Sequence, residues 1–430
     1  MDFYFDADIF LGRKAGIYRY SKEIAARFYS DPDVNCRFVS SSALGGEAFS
    51  EVLNDLFGER ACLYEMYCSK NGERIERRAR LAFRMAKARY EAEPSFVRKM
   101  DREYRRLKYE SENSKLVRSG AHFLFGGKQP VVFSPLRALA PEYFSSPDPV
   151  FKVQVVHDLI PVLHRDFCGR TRTFDEAYQV LGQLDMVVTD SESTRRDLLR
   201  MRPDLTQEKV IAIPLAASNH FAPVTDLNKI SAVREKYGIP AGSDYIFAVS
   251  TLEPRKNQLR LIEAWSDIVH TLSIKDPKLV IAGSRGWGDG YLESLDRCDE
   301  INKSVLFTGF VEDEDLPALY SGSVLTAYPS LYEGFGLPVL ESISCGKFCV
   351  TSNVSSIPEI TGDDYPLVNP ESVKEISDLI SKGVNDGEFR RRMEQKGLMR
   401  AEKFDWDKTY ERTKAAIQIG LSRSFGSRMK

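Results

Sequence analysis

Short apolar runs rich in β-branched residues alternate with amphipathic stretches along most of this chain. DFYF (2–5), VVFSP (131–135), FKVQVVHDLIP (151–161), MVVTDS (186–191) and KVIAIP (209–214) read as strands, and most are closed by a polar residue or a proline. Helical spacing fills Ile17 to about Phe28, 172–183 and 191–201. This alternation predicts an α/β protein, with parallel strands covered by helices on both faces. The polar stretch Ala217 to Asp226 resets the pattern, and a helix at Ile230–Tyr237 follows. A second alternating unit then starts at Tyr245–Ser250 and continues through 278–283, 305–309, 324–330 and 348–352. The expectation is one Rossmann-like domain over 1–222 and a second over 223–403. A last helix at about 404–420 returns to the first domain.

Ligands of such sheets bind just beyond the C-terminal ends of the strands. That rule puts His157, Asp158 and Ser191 where chemistry can occur, along with the Gly12–Gly16 turn after the first strand. A tight strand-to-helix turn needs glycine for its own geometry, so this last signal alone has two readings. The most informative stretch is Ser330 to Gly346, SLYEGFGLPVLESISCG. Pro338 suits the first turn of a helix, where its missing N–H is no loss. The backbone N–H groups around Gly334, Phe335, Gly336 and Leu337 then form an anion site at a helix N-terminus. Glu333 and Glu341 frame it. Two carboxylates about 5–10 Å apart around one bond would suit glycoside hydrolysis. Here a Gly-Phe-Gly turn lies between them, so they face different parts of a long ligand.

Composition narrows the classes. The chain has 430 residues, 43% of them hydrophobic, which suits two domains with sizeable cores. A net charge of −2 gives no global attraction to nucleic acid. No apolar run approaches the length that crosses a bilayer, and the acidic start, MDFYFDADIF, does not read as a signal peptide. The seven cysteines are scattered without a C-x-x-C pair, as free thiols of a reducing compartment would be. The five histidines show no metal-ligand spacing, so no bound metal is expected. Charge is uneven in one place. Residues 74–118 hold about fifteen Lys/Arg against seven Asp/Glu, within a helical segment at 73–118. This is either a solvated hairpin or a basic face for an anionic membrane or an acidic or lipid-linked acceptor.

GFGLP within the E-x7-E pattern, with GIYRY, HDLIP, TLEPRKN (251–257), TGF (308–310) and SSIPEITGD (355–363), resembles the retaining glycosyltransferases of family 4, in the family's order and over nearly the full chain. The resemblance implies the GT-B fold, two Rossmann-like domains facing across a cleft. It implies a nucleotide-sugar donor on the C-terminal domain, a glycan or lipid-linked glycan acceptor on the N-terminal one, and no metal or other cofactor. His157, Lys256 and Glu333 match the catalytic positions: His157 supports the transferred sugar, Lys256 meets the diphosphate and Glu333 contacts the sugar. Glu341 matches the ribose-binding carboxylate, Gly309 and Phe310 the loop that reads the nucleobase, and Gly16 the loop near the donor phosphates or acceptor. Ser356 and Glu359 match a second loop on the nucleotide side, although SSIPE also reads as a helix start. Many members carry an Arg where this chain has Ser250. Arg255 or Arg285 covers that gap, or Ser250 and Thr251 supply hydroxyl bonds instead.

HDLIP and TLEPRKN are similar to those of bacterial mannosyltransferases that build surface polysaccharide such as lipopolysaccharide. The expected donor is therefore GDP-mannose. A UDP-sugar-dependent glucosyl- or N-acetylhexosaminyltransferase is the alternative, and a catalytically inactive binding subunit a further one. The expected location is the cytoplasm, peripheral to the inner face of a membrane.

Overall fold

The computed structural model describes residues 1–11, 16–39, 47–57, 130–136, 138–139, 144, 149–164, 172–301 and 303–426. The basic segment 73–118, with its membrane and acceptor readings, lies outside the described residues, as do residues 12–15 of the first glycine turn. Packing divides the chain into two units. The first holds Met1–Val155, Arg172–Val188 and Lys414–Lys430, and the second holds Val156–Thr171 and Thr189–Thr413.

Strands β1 (Asp2–Asp6), β2 (Asn35–Val39), β3 (Val131–Ser134), β4 (Phe151–Val156), β5 (Met186–Thr189) and β6 (Val210–Ala212) form one sheet in the order β2-β1-β3-β4-β5-β6. β2 is absent from the expected strands because NCRFV lacks an apolar run; it lies at the sheet's edge and only its last two residues are buried. The second sheet contains β7 (Tyr245–Val249), β8 (Lys278–Ala282), β9 (Val305–Gly309), β10 (Leu325–Tyr328) and β11 (Cys349–Thr351). Its order is β11-β10-β7-β8-β9. Its pairs are all parallel. Helices follow the strands, including Gln258–Ile268, Leu337–Ser344 and Val373–Asn385. In this order the chain builds from β7 toward β9 and then returns to the other side of β7 with β10. The crevice between the ends of β7 and β10 is thus the switch point where open α/β sheets bind ligands.

The first unit's core is aromatic, with Phe3 and Phe28 stacked at a centroid distance of 3.9 Å and Phe38 on Phe57 at 4.8 Å. In the second unit Tyr245, Phe247, Val280, Leu319 and Tyr320 make a continuous buried cluster. The helix Trp406–Gly426 belongs to the second unit up to Thr413 and to the first from Lys414 onward. Lys414 pairs with Asp31 at 2.5 Å, and Gly420 lies where any Cβ would come within 2.5 Å of the Phe151 ring.

The expected boundary near 222 and the observed division differ in one respect. The segments after β4 and β5, including Thr189–Ala222, group with the second unit. Ser191 and Thr194 donate to the Gly334 carbonyl there, and the His157 carbonyl packs against Gly334. Among the described residues no helix is long and apolar enough to cross a membrane.

Gly383 sits inside the helix Val373–Asn385, where alanine would ordinarily gain about 1 kcal/mol. A Cβ there would come within 2.7 Å of Leu325 and 2.8 Å of Phe348, both fully buried. Overpacking costs about 1–3 kcal/mol and outweighs the helix gain. Gly383→Ala should therefore lower the urea midpoint of the second unit; an unchanged or raised midpoint would show that these side chains give way freely.

Candidate active site

The chain leaving β7 at Ser250 runs through a tight turn at Pro254–Lys256 into the helix Gln258–Ile268. Asn257 takes a left-handed conformation (φ 63°) at that junction and spends its amide on the carbonyls of Pro329 and Pro370. The first bond ties the turn to the segment leaving β10, and the second ties it to the chain beyond β11. Arg255 and Lys256 are thereby brought against Glu333.

Glu333 is the hub. Its Oε1 accepts from Lys256 Nζ at 2.7 Å, Tyr328 hydroxyl at 2.8 Å and Ser330 hydroxyl at 2.5 Å. Its Oε2 accepts from Arg255 Nη1 at 2.7 Å. Arg255 also donates to Glu253 at 2.7 Å, and Trp287 donates to the other oxygen of Glu253 at 3.0 Å. The side chains of Arg255, Lys256 and Glu333 are 13%, 11% and 9% exposed, so this pairing takes place almost out of water. Burial by itself would raise the Glu333 carboxyl, but Arg255, Lys256 and the hydrogen bonds outweigh it and bring its pKa to about 2. Burial lowers the Lys256 ammonium from its usual value, with Glu333 opposing. For Arg255 burial works against the charge, while Glu333, Tyr328 and Glu253 more than compensate and raise it.

Beyond Glu333 the backbone turns sharply. Gly334 allows no side chain, since a Cβ would lie 2.1 Å from the His157 carbonyl oxygen, and Gly336 has φ 111°. The helix Leu337–Ser344 begins there, with proline in its first turn. The N–H groups of Gly336 and Leu337 meet no acceptor among the described residues. Hydroxyls hold the turn's carbonyls. Ser191 and Thr194 donate to Gly334 O at 2.7 and 3.2 Å, and Ser356 donates to Phe335 O at 2.6 Å. Ser355 accepts from the Glu333 N–H at 2.9 Å.

His157, just past β4, pairs through Nδ1 with Asp190 Oδ2 at 2.7 Å. Burial raises the Asp190 carboxyl against the pull of His157, and burial likewise raises Asp158, whose Oδ1 accepts from Ile160 N–H at 3.0 Å. Tyr332 hydroxyl donates to Asp197 at 2.6 Å.

Of the residues expected from sequence, His157, Arg255, Lys256, Glu333, Gly334, Phe335, Gly336 and Leu337 converge on this turn. Glu341 is buried one helical turn further on, with Tyr320 hydroxyl 3.3 Å from its Oε2. Ser250 accepts from Gln258 at 2.8 Å, and the Thr251 carbonyl accepts from the same amide at 3.0 Å. Arg285 is half exposed and paired with Asp296 at 2.7 Å, so Arg255 is the guanidinium beside Lys256. Gly309 ends β9, and Phe310 beyond it is 62% exposed. Gly16 begins the helix Gly16–Ser30 in the first unit, while the other candidates lie in the second. SSIPE does start a helix, Ile357–Thr361, with Ser356 at its N-cap position and Glu359 in its first turn. The Glu359 carboxylate accepts from the Glu192 and Ser193 N–H groups at 2.8 and 2.7 Å, which caps the helix Glu192–Met201.

Residues 229–399 match the family Glycosyl transferases group 1. The chain also resembles proteins that it covers only in part. The O-antigen chain mannosyltransferase B of Escherichia coli is 32% identical over 242 residues, 56% of this chain and 62% of that protein. The serotype-specific mannosyltransferase WbdA of Escherichia coli is 31% identical over 269 residues, 60% of this chain and 32% of that protein. This chain therefore spans less than two thirds of either relative. The crystal structure of Anabaena HepE in complex with UDP and glucose superimposes with a TM-score of 0.64 at 15% identity, covering 97% of this chain and 99% of that one. The fold is GT-B. Among the described residues no group of histidine, cysteine and carboxylate side chains is arranged to hold a metal ion.

Glu333→Gln should destabilise the second unit at neutral pH by about 3–5 kcal/mol, because nearly buried Lys256 loses its paired carboxylate and Arg255 keeps only Glu253. The native carboxyl, at about 2, lies below its ordinary 4.5. Its stabilisation is thus present above pH 4.5 and is lost as pH falls toward 2. Unfolding free energies of wild type and variant should converge across that window; a difference independent of pH would show that the loss is one of packing rather than charge.

Proposed function

We propose that this protein is a retaining glycosyltransferase that moves mannose from GDP-mannose to a glycan or lipid-linked glycan in surface-polysaccharide synthesis. One observation carries the reading. Arg255, Lys256 and the N-terminus of the helix Leu337–Ser344 gather around Glu333 at the β7–β10 switch point of a group 1 domain. That set suits a sugar diphosphate. The relatives named as O-antigen and serotype-specific mannosyltransferases support mannose as the sugar.

In this reading a diphosphate takes Lys256 and Arg255 from Glu333. The freed carboxylate then accepts hydrogen bonds from sugar hydroxyls. Breaking the bond between the anomeric carbon and the phosphate oxygen builds negative charge on the diphosphate. Lys256, Arg255 and the N–H groups of Gly336 and Leu337 meet that charge, so the reaction needs no metal ion. The acceptor oxygen bonds to the anomeric carbon on the face the diphosphate leaves. Its proton passes to the departing phosphate oxygen. His157 holds the sugar during the step. Arg255 fills the place of the arginine that Ser250 replaces. The reaction runs in the cytoplasm at the inner face of a membrane, where a lipid-linked acceptor is presented.

Saturation-transfer NMR against GDP-mannose, UDP-glucose, UDP-N-acetylglucosamine and UDP-galactose tests the donor. GDP-mannose should bind wild type and not Lys256→Ala, and nucleoside diphosphate release by the variant should fall about 10²–10³-fold. Binding of a UDP-sugar in its place would replace mannose in the reading. If none binds and no diphosphate is released, the chain is a binding subunit rather than a transferase.

A further inference from the structure

Glu253 is the second carboxylate beside the cation pair. It is 8% exposed, and both of its oxygens are used: Oε1 accepts from Arg255 Nη2 at 2.7 Å and Oε2 from the Trp287 indole N–H at 3.0 Å. Its side chain does not cap the Pro254–Lys256 turn that follows it. Nor is it needed to join the loops after β7 and β8. Leu252 N–H already donates to Ser284 O, and Gly286 N–H to Leu252 O, each at 3.0 Å. Gly286 makes that contact close, because a Cβ there would come within 2.6 Å of the Thr251 methyl and 2.8 Å of Leu252 O.

A site that receives an anion has a reason to exclude such a group. Arg255 and Lys256 face two carboxylates, Glu253 and Glu333, so the four side chains carry no net positive charge. A neutral amide of the same size would remove one negative charge from the place where the anion binds. It has a single acceptor oxygen, though, and an NH2 that only donates. It can serve Arg255 or Trp287 but not both, whereas a carboxylate accepts from the two donors at once.

The two cations differ in what they keep without Glu333. Lys256 Nζ donates to the Tyr328 hydroxyl at 2.6 Å and has no second ion pair among the described residues. Arg255 keeps Glu253 on Nη2, while the nitrogen that meets Glu333 is Nη1, which also donates to the Tyr332 carbonyl at 2.8 Å. Separate acceptors on two nitrogens of a planar guanidinium fix its orientation. We propose that Glu253 is a positioning residue, itself held by Trp287, that keeps Arg255 in place when an anionic ligand takes Nη1 from Glu333. Lys256 is then the cation that moves to the ligand. During transfer the fixed guanidinium meets the charge developing on the diphosphate without reorganising. That the ligand is a sugar diphosphate rests on the functional reading above; the anchoring of Arg255 does not.

Restricted rotation of the Arg255 guanidinium tests the anchoring without ligand or activity. It is read from ¹⁵N spectra of the side chain, with the signals assigned by their loss in Arg255→Lys. The restriction should persist in Glu333→Gln and disappear when Glu253→Gln is added to it. Free rotation in Glu333→Gln, or restricted rotation in the double variant, would overturn the inference. Because Glu333→Gln is destabilising, a second test leaves Glu333 in place. It uses GDP-mannose and GDP, or a UDP-sugar and UDP if the donor screen selects one. Glu253→Gln should lose about 10- to 100-fold in kcat. Calorimetry should show the nucleoside diphosphate binding at least as tightly as to wild type, since a negative charge has gone. Trp287→Phe leaves Arg255 its carboxylate and should lose less than about tenfold in kcat. Wild-type kcat in Glu253→Gln, or a fall in diphosphate affinity as large as the fall in kcat, would overturn the positioning role. If wild type transfers nothing from any donor, the glycosyltransferase reading fails and the guanidinium spectra alone decide the anchoring.

Discussion

One carboxylate with four donors organises the second unit's candidate site. Glu333 holds a lysine, an arginine and two hydroxyls in a space nearly closed to water. Moving such charges out of water costs several kcal/mol per ion, and only close geometry with every lone pair used recovers it. The surrounding structure is arranged to keep that geometry. Asn257 ties the Arg255–Lys256 turn to the segment leaving β10, and Ser191, Thr194, Ser355 and Ser356 pin the backbone on either side of Glu333. Paired this way, the cations are held ready and neutralised at once. An anionic ligand must compete with Glu333 for them.

Parallel sheets explain why residues so far apart in sequence meet. Every strand of the second sheet delivers its next residues to the same edge, and the return of β10 beside β7 leaves a crevice there. The same logic places His157 beside Asp190 past β4 and β5. Gly334 then lets the Glu333 turn approach the His157 carbonyl more closely than any other residue would permit. The imidazole and the cation cluster thus share one turn of backbone, although they leave different strands.

Much of this was legible in advance, and the rest has identifiable reasons for being hidden. The alternation of apolar runs located β1, β3 to β11 and the two-sheet α/β class, because buried parallel strands must be apolar on both faces. β2 escaped notice as an edge strand with mixed polarity. GFGLP and TLEPRKN marked the correct turns, since glycine, proline and basic residues at strand ends carry local geometry in their own chemistry. The choice between Arg255 and Arg285 could not be read, because both follow strands of the same sheet and only the pairing of Arg285 with Asp296 separates them. Glu359 matched a loop on the nucleotide side, or the start of its own helix. It caps a helix that begins 167 residues earlier. Asp190 had a signal that went unused: HD and DS each follow an apolar strand, and adjacent parallel strands place such endings together.

What the sequence alone determined is therefore local or periodic: which segments are strands, where the backbone must turn, and which charges stand at strand ends. These follow from side-chain volume, polarity and backbone freedom within a few residues. The tertiary structure decided which of those charges share a partner. The Lys256–Glu333 and Arg255–Glu333 pairs span 77 and 78 positions, and the order β11-β10-β7-β8-β9 sets their distance, not any spacing in the chain. The ionisation of Glu333 belongs to the same level. A carboxyl near 2 requires burial and two cations together, and only the folded crevice supplies both.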